Sequence, residues 1–261
     1  MTTPAPHRLT LTAAEYAYLV GRLAADMPPD WKPDAEVAAA GDLAEKGVLR
    51  DDEIHPSVAA NVRVITSPRI FLDTTATAGS RGSRSLHAVA GELGASLFLL
   101  PDGGVELSMF AAVTLGRELV RAVPAEEGGI GAALDASDDA EPINGVVPLA
   151  ALHELGVADL LREADPDAPG YVLAELKLPK AEAEFALDVV RRTDGVLRCL
   201  VTAVVGTSVH SAQVHWLHSD AGWVGIRPAA DGAGRRLVEL TPVDREDLGV
   251  WVTPYVAEAL S

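Results

Sequence analysis

Hydrophobic positions near the start of the chain recur with the spacing of one helical face. The stripe consists of Tyr16, Leu19, Val20 and Leu23. The sequence TAAE at 12–15 precedes it and has the pattern of a capping box, in which a threonine and a glutamate side chain cap each other's backbone amides. The spacing predicts an amphipathic helix that ends near the sequence MPP at 27–29.

The rest of the first half changes from a helical to a strand-like pattern. An Ala-rich segment at 34–49 predicts a weak helix, and Pro56 opens another that ends before Ser67 and Pro68. Apolar or β-branched runs then predict strands, with a hairpin turn at PDGG. The strands are expected at 69–77, 84–92 (which would also tolerate a helix), 95–100 and 105–109, and an amphipathic helix at 110–124.

The second half repeats this order of patterns. Helices are expected at 148–164 and 178–195, strands at 196–206, 208–220, 222–227 and 235–242, and a closing helix at 244–260. Consecutive strands joined by short turns indicate an antiparallel meander and not βαβ units. We therefore predict an α+β fold with a quasi-two-fold repeat, in which helical bundles flank a central antiparallel sheet.

The predicted repeat divides the chain into two α+β halves. The first spans residues 1–124 and the second spans 148–261. The segment between them, 125–147, is acidic, Gly-rich and nearly free of large apolar residues, which is typical of a linker.

Composition narrows the function classes. The 261 residues include 21 Lys and Arg against 38 Asp and Glu, a net charge of −17, which argues against nucleic acid and anionic membranes as partners. The only cysteine, Cys199, lies in an apolar run and is expected to be buried. The N-terminal sequence lacks the pattern of a signal peptide, and no run reaches the about 18–20 apolar residues that span a bilayer. These features favour a cytoplasmic protein without membrane insertion.

The sequence HSAQVHWLH at 210–218 raises the possibility of a metal site. In a strand, however, side chains alternate between the two faces. His210, Trp216 and His218 are then expected on one face and His215 on the other, so the three histidines cannot converge on one ion. We predict no metal, no cofactor and no catalytic residues.

Other polar and aromatic residues favour contacts with a protein. The segment GSRGSR at 79–84 resembles a phosphate loop only superficially, since it lacks the lysine of that motif, and is expected to be a loop that touches an acidic or polar partner. A tryptophan on an exposed sheet face would anchor such a partner. The predicted partner-binding residues are Arg81, Arg84, His87, Trp216, His218 and Trp223.

Several stretches resemble the EspG family, the cytosolic chaperones associated with ESX (type VII) secretion in actinobacteria. They are LTLTAAEYAYLVGRL, PSVAANVRVITSPRIFLDTTAT, LFLLPDGGVELSMF, TDGVLRCLVTAVV and VHWLHSDAGWVGIRP. The resemblance implies a non-catalytic protein that shields an apolar patch on a helical secreted substrate, either a PE–PPE-like pair or another ESX-related protein. It also implies that the loop between early strands, the sheet face and the second helical bundle bind that substrate. The chain departs from the family at HSDAGWVG, which lacks the arginine of the usual D-T-P-x-G-R turn.

Two other function classes stay open. The alternative to a chaperone is a His-dependent or metal-dependent hydrolase that uses His210, His215 or His218. A third hypothesis is a symmetric scaffold that dimerises through its sheet edge. The sequence does not decide the oligomeric state.

Overall fold

The computed structural model of the chain describes residues 8–34, 43–125, 140–230, 232 and 234–260. The strands in these ranges are β1 (Arg8–Leu11), β2 (Leu49–Arg50), β3 (Glu53–Ile54), β4 (Ile70–Ala78), β5 (Arg81–Ala90), β6 (Leu93–Leu99), β7 (Val105–Ala111), β8 (Gly145–Pro148), β9 (Thr193–Val205), β10 (Ser208–Ser219), β11 (Gly222–Ala230) and β12 (Arg236–Val243). The α-helices are α1 (Ala13–Arg22), α2 (Pro56–Thr66), α3 (Leu115–Leu119), α4 (Leu149–Leu160), α5 (Ala168–Leu176), α6 (Lys180–Arg192) and α7 (Asp247–Leu260).

Ten of these strands form one sheet in the order β1-β7-β6-β5-β4-β9-β10-β11-β12-β8. Neighbouring strands are antiparallel throughout. In each half, a short strand that precedes the meander pairs with the meander's last strand, β1 with β7 and β8 with β12. The α+β fold with a central antiparallel sheet is confirmed. The two halves share a strand order, whereas a two-fold rotation that relates them stays a prediction.

The two halves meet at the centre of the sheet, where β4 pairs with β9. Ile70 lies opposite Ala203, and Thr74 lies opposite Cys199. Cys199 is buried, as predicted, and burial raises the pKa of its thiol to about 11. The sheet is therefore continuous from one half into the other.

The alternation of side chains gives the sheet two different faces. The face that bears Leu72, Cys199 and Trp216, here called the α7 face, packs against α3 and α7. On the opposite face, here called the open face, α1 and α2 cover the strands of the first half. Helices α4, α5 and α6 cover β8, β11 and β12 on the same open face. Each helix thus buries its apolar side on the sheet, which is the usual layered solution for an α+β domain.

Two strand glycines allow aromatic rings to approach the α7 face closely. A Cβ atom on Gly94 would lie 2.1 Å from Cε2 of Phe110, and one on Gly225 would lie 2.3 Å from Cζ2 of Trp251. Only a residue without a side chain fits under these rings. The glycines occupy β6 and β11, the third strands of the two meanders.

The predicted start of α1 is confirmed. The Thr12 backbone amide donates to Oε2 of Glu15 at 2.7 Å, and the Glu15 amide donates to Oγ1 of Thr12 at 3.2 Å. The helix ends at Arg22, before the predicted break at 27–29. The predicted helix from Pro56 is also confirmed, as α2.

Several other predictions need correction. The expected helix at 110–124 is wrong in extent, because β7 continues through Ala111 and α3 covers only Leu115–Leu119 between two 3₁₀ turns. The expected loop at 79–84 is also wrong. Only Gly79 and Ser80 form the turn, and β5 begins at Arg81.

Some predictions fall partly outside the described residues. Residues 35–42 of the expected helix at 34–49 lie outside them, and 43–50 form turns and the short strand β2. Residues 126–139 of the expected linker also lie outside them, while 145–147 belong to β8. The division into two halves stays a prediction. Across the described ranges, no helix is long and apolar enough to cross a membrane.

Candidate functional site

The open face has an uncovered centre. Strands β4, β9 and β10 lie between the two groups of helices, and no core residue that the structure describes on α1, α2, α4, α5 or α6 packs on their middle. Val196 is 50% exposed and Val209 is 66% exposed, and both lie at its ends. We call this three-stranded surface the trough. Exposed valines on the central strands of a sheet are unusual, because β-branched residues on such strands normally face a packing partner.

One row of side chains crosses the middle of the trough. Arg84 on β5 lies opposite Thr75 on β4, Thr75 lies opposite Arg198 on β9, and Arg198 lies opposite His215 on β10. Arg84, Arg198 and His215 are here called the basic row. Burial, followed by the positive charge of Arg198, lowers the pKa of His215. Its Nε2 lies 2.9 Å from Oε1 of Gln213.

Arg84 lies at the edge of this row and is partly engaged. Its guanidinium lies 5.0 Å from the centre of the Trp31 ring and 3.4 Å from Oδ2 of Asp30. Its Nε atom is buried and has no hydrogen-bond partner among the described residues. Arg81, the other arginine predicted to contact a partner, is half-buried opposite Ala78.

The tryptophans predicted to contact a partner lie on the α7 face and are buried. Trp216 is only 1% exposed, and its ring centre lies 6.2 Å from that of Trp223 and 6.0 Å from that of Trp251. His218 is also buried, with its ring 4.8 Å from Trp223 and its Nδ1 2.5 Å from Oδ1 of Asp194. These contacts give the side chains a packing role. Partner contacts at these positions stay a prediction, and they would require this packing to open.

His87 is likewise buried on the α7 face, opposite Leu72. Its ring meets Phe98 edge to face, with the ring centres 5.4 Å apart. Its pKa is lowered to about 3, chiefly by burial; the backbone at Glu118 opposes this decrease in part, and the positive charge of Arg121 adds to it. Its ring is therefore neutral at physiological pH and lies away from the surface.

The histidines of 210–218 do not converge. His218 points to the α7 face and His215 to the open face, in agreement with the predicted alternation, while His210 lies near the far end of β10. Over the described parts of the chain, no group of three or more His, Cys, Asp or Glu side chains is placed to hold a metal ion. The geometry thus lends no support to the hydrolase alternative.

A second apolar surface lies on the outer side of α4. Its inner side buries Ala151, Leu155 and Ala158. Its outer side nevertheless exposes large apolar residues, which are Leu149, Val157, Leu160 and, just past the helix, Leu161. A helix that is apolar all round is normally covered on both sides. The sequence predicts the helix but not this outer surface, although the high share of apolar residues in PLAALHELGVADLL was a usable signal.

Comparison with known proteins identifies the family of the chain. The sequence profile of the EspG family matches residues 27–253, so the chain belongs to the EspG family. Its fold is similar to that of the Mycobacterium tuberculosis type VII secretion system chaperone EspG5, solved in complex with a PE25–PPE41 dimer. That match has a TM-score of 0.62 and 12% identity and covers 95% of each chain. A match to HtdX of the same organism has 10% identity, covers 92% of this chain and 100% of that one, and has a TM-score of 0.16, too low to carry any argument. No curated protein matches this chain.

Proposed function

We propose that this chain is a cytoplasmic, non-catalytic chaperone that binds a helical substrate of a type VII (ESX-like) secretion system. The similar EspG5 is a type VII secretion system chaperone that was solved in complex with the PE25–PPE41 dimer, which makes a PE–PPE-like pair the first candidate substrate. Another ESX-related helical protein is the second. The net charge of −17 supports a protein partner over nucleic acid.

The observation that carries this proposal is the trough. Adjacent strands lie about 4.8 Å apart, so the centres of β4 and β10 are separated by about 10 Å, which is close to the about 10–12 Å diameter of an α-helix with side chains. The groups of helices on either side form walls. A helix laid in the trough would cover Val196, Val209 and the half-buried Leu200. A surface of this width and composition fits one helix of a substrate.

The outer surface of α4 supports a second contact with the same substrate. Leu160 is 85% exposed, and Tyr171 on α5 is 66% exposed in the same bundle. A substrate that consists of a helical pair has more than one helix to bury. We propose that one helix occupies the trough while another part of the substrate covers the α4 surface.

In this proposal, the predicted site residues have different roles. Arg84 lies on the first-half side of the trough and is the candidate for direct contact there, whereas Arg81 lies opposite Ala78 on the α7 face and would contact a partner only at the end of that strand. The buried aromatic residues stiffen the sheet from the opposite face. The two halves at 1–124 and 148–261 would act as the walls of one binding surface, joined through 125–147.

Co-expression tests this function. The chain is co-expressed with each PE–PPE-like or other ESX-related helical pair of the host, and complexes are isolated by size-exclusion chromatography. Val209→Asp and Leu160→Asp are expected to abolish co-elution, since each places a charge in a surface that the substrate would bury. Val113→Asp is the matched control, because Val113 is 94% exposed beside α3, near the α7 face. If no pair co-elutes with the wild-type chain, or if Val209→Asp and Leu160→Asp bind normally, the proposal is wrong.

A further inference from the structure

Arg198 lies in the middle of the trough, with no counter-ion among the residues that the structure describes. It is exposed, and among the described residues it forms no hydrogen bond or ion pair. Its cross-strand neighbours are Thr75 and His215, and neither carries a carboxylate. An unpaired arginine at the centre of a surface is notable on a chain in which acidic residues outnumber basic ones by 38 to 21.

The acidic groups near Arg198 are already engaged. Asp73 lies one position further along the open face of β4, and its Oδ2 accepts a hydrogen bond from Nε1 of Trp31 at 3.3 Å. Asp30 pairs with Arg84 at the edge of the row. Neither carboxylate forms an ion pair with Arg198 among the described residues, so the donors of its guanidinium are left for a group that comes from outside.

We propose that Arg198 binds a carboxylate on the substrate helix, so that the trough selects a helix with an Asp or Glu on the side that it buries. This inference rests on the proposed function, because it names the chemistry that the same surface recognises. A docked helix would remove Arg198 from water, and a buried guanidinium without a partner is strongly unfavourable. A wholly apolar helix is thus rejected, while a carboxylate forms two charge-assisted hydrogen bonds with the guanidinium.

The neighbours of Arg198 suit this role. Burial and the positive charge of Arg198 lower the pKa of His215, which disfavours a second positive charge beside Arg198 while the ring still offers a hydrogen-bonding group. Its Nε2 faces Gln213, which leaves Nδ1 for the substrate. Valines at the ends of the trough supply apolar contact on both sides of the charged centre. The pattern expected of the bound helix is therefore apolar, acidic, apolar along one face.

A pair of stapled helical peptides tests the inference without the natural substrate. Each has about 18 residues, or about 27 Å of helix, with leucines on one side and either Glu or Gln at the centre of that side. Binding to the full chain is measured by NMR titration, with the side-chain signals of Arg198 and His215 as reporters. The Glu peptide is expected to bind the wild-type chain at least about 5-fold more tightly than the Gln peptide. Arg198→Gln is expected to remove this difference. Arg117→Gln, a change to an exposed arginine on α3, is expected to preserve it.

The outcomes separate this inference from the proposed function. Equal affinity for the two peptides, or no change in either reporter signal, overturns the role of Arg198 even if a natural helical pair co-elutes with the chain. A clear preference for the Glu peptide that depends on Arg198 supports the inference even if no such pair is found, and the proposed function then fails alone.

Discussion

Lowering the pH from 7 to 5 is expected to destabilise the folded chain by about 2 kcal/mol through His87 alone. The ring is completely buried, and burial holds its pKa at about 3, compared with 6.5 for an ordinary histidine. Between these values the unfolded chain binds a proton that the folded chain does not. The stability that depends on a neutral His87 is therefore complete above about pH 7, falls as the pH decreases, and is lost by about pH 3.

The size of the effect follows from the difference between the two pKa values. At 1.36 kcal/mol per unit, the whole interval corresponds to about 5 kcal/mol, of which about 2 kcal/mol is lost by pH 5. A loss of about 5 kcal/mol is comparable to the total stability of many domains.

Urea denaturation at pH 7, 6 and 5 measures how the free energy of unfolding depends on pH. His87→Gln removes the titrating group, so its free energy of unfolding is expected to depend less on pH than that of the wild type by about 2 kcal/mol over the same interval. His153→Gln changes an exposed histidine and is the matched control, with the wild-type slope. If the wild type and His87→Gln lose stability in parallel, His87 is not the group that links folding to pH.

Three further changes test the packing and the electrostatics. Gly225→Ala is expected to destabilise the chain by about 1–3 kcal/mol in thermal denaturation, because the new Cβ would lie 2.3 Å from Cζ2 of Trp251. Arg198→Gln is expected to raise the pKa of His215, measured by NMR titration of the imidazole, because it removes a positive charge that lowers that pKa. Thr12→Ala is expected to cost about 1 kcal/mol of unfolding free energy in urea, because it deletes one hydrogen bond of the capping box.

Each of these changes has a control. A Cβ on Gly156 would meet no atom within 4 Å, so Gly156→Ala is expected to leave the thermal midpoint unchanged or higher. Arg117→Gln is expected to leave the titration of His215 unchanged. Thr12→Ser keeps a capping hydroxyl and is expected to retain most of the stability. A variant that behaves like its control would show that the assigned contact does not act as described.

The elements that the sequence predicted well are those with local signals. The capping box of α1, the proline that opens α2 and the turn PDGG each depend on residues a few positions apart. The missed strands β1 and β8 have four residues each and are strands only because they pair with β7 and β12. Helix α5 was missed because Pro169 and Gly170, which the pattern marks as a break, lie in its first turn.

The parts of the candidate site that depend on contacts distant in sequence could not be predicted either. Alternation along β10 correctly separated His215 from Trp216 and His218. It could not say which face was covered, because this depends on α3 and α7 packing from distant parts of the chain. Arg198 lies within the apolar sequence LRCLV and gives no signal by itself. Its place beside His215 follows only from the register of two strands.

The pairing of β4 with β9 has a consequence for how the chain folds. Strands within each meander are joined by short turns, whereas the central pairing brings Ile70 to Ala203. Contacts so distant in sequence are slow to form, so each half is expected to complete its hairpins first and the central pair to close last. Until then β4 and β9 are open edges rich in apolar residues, the kind of edge that joins other chains. During synthesis, β4 must wait for the second half before this edge is protected.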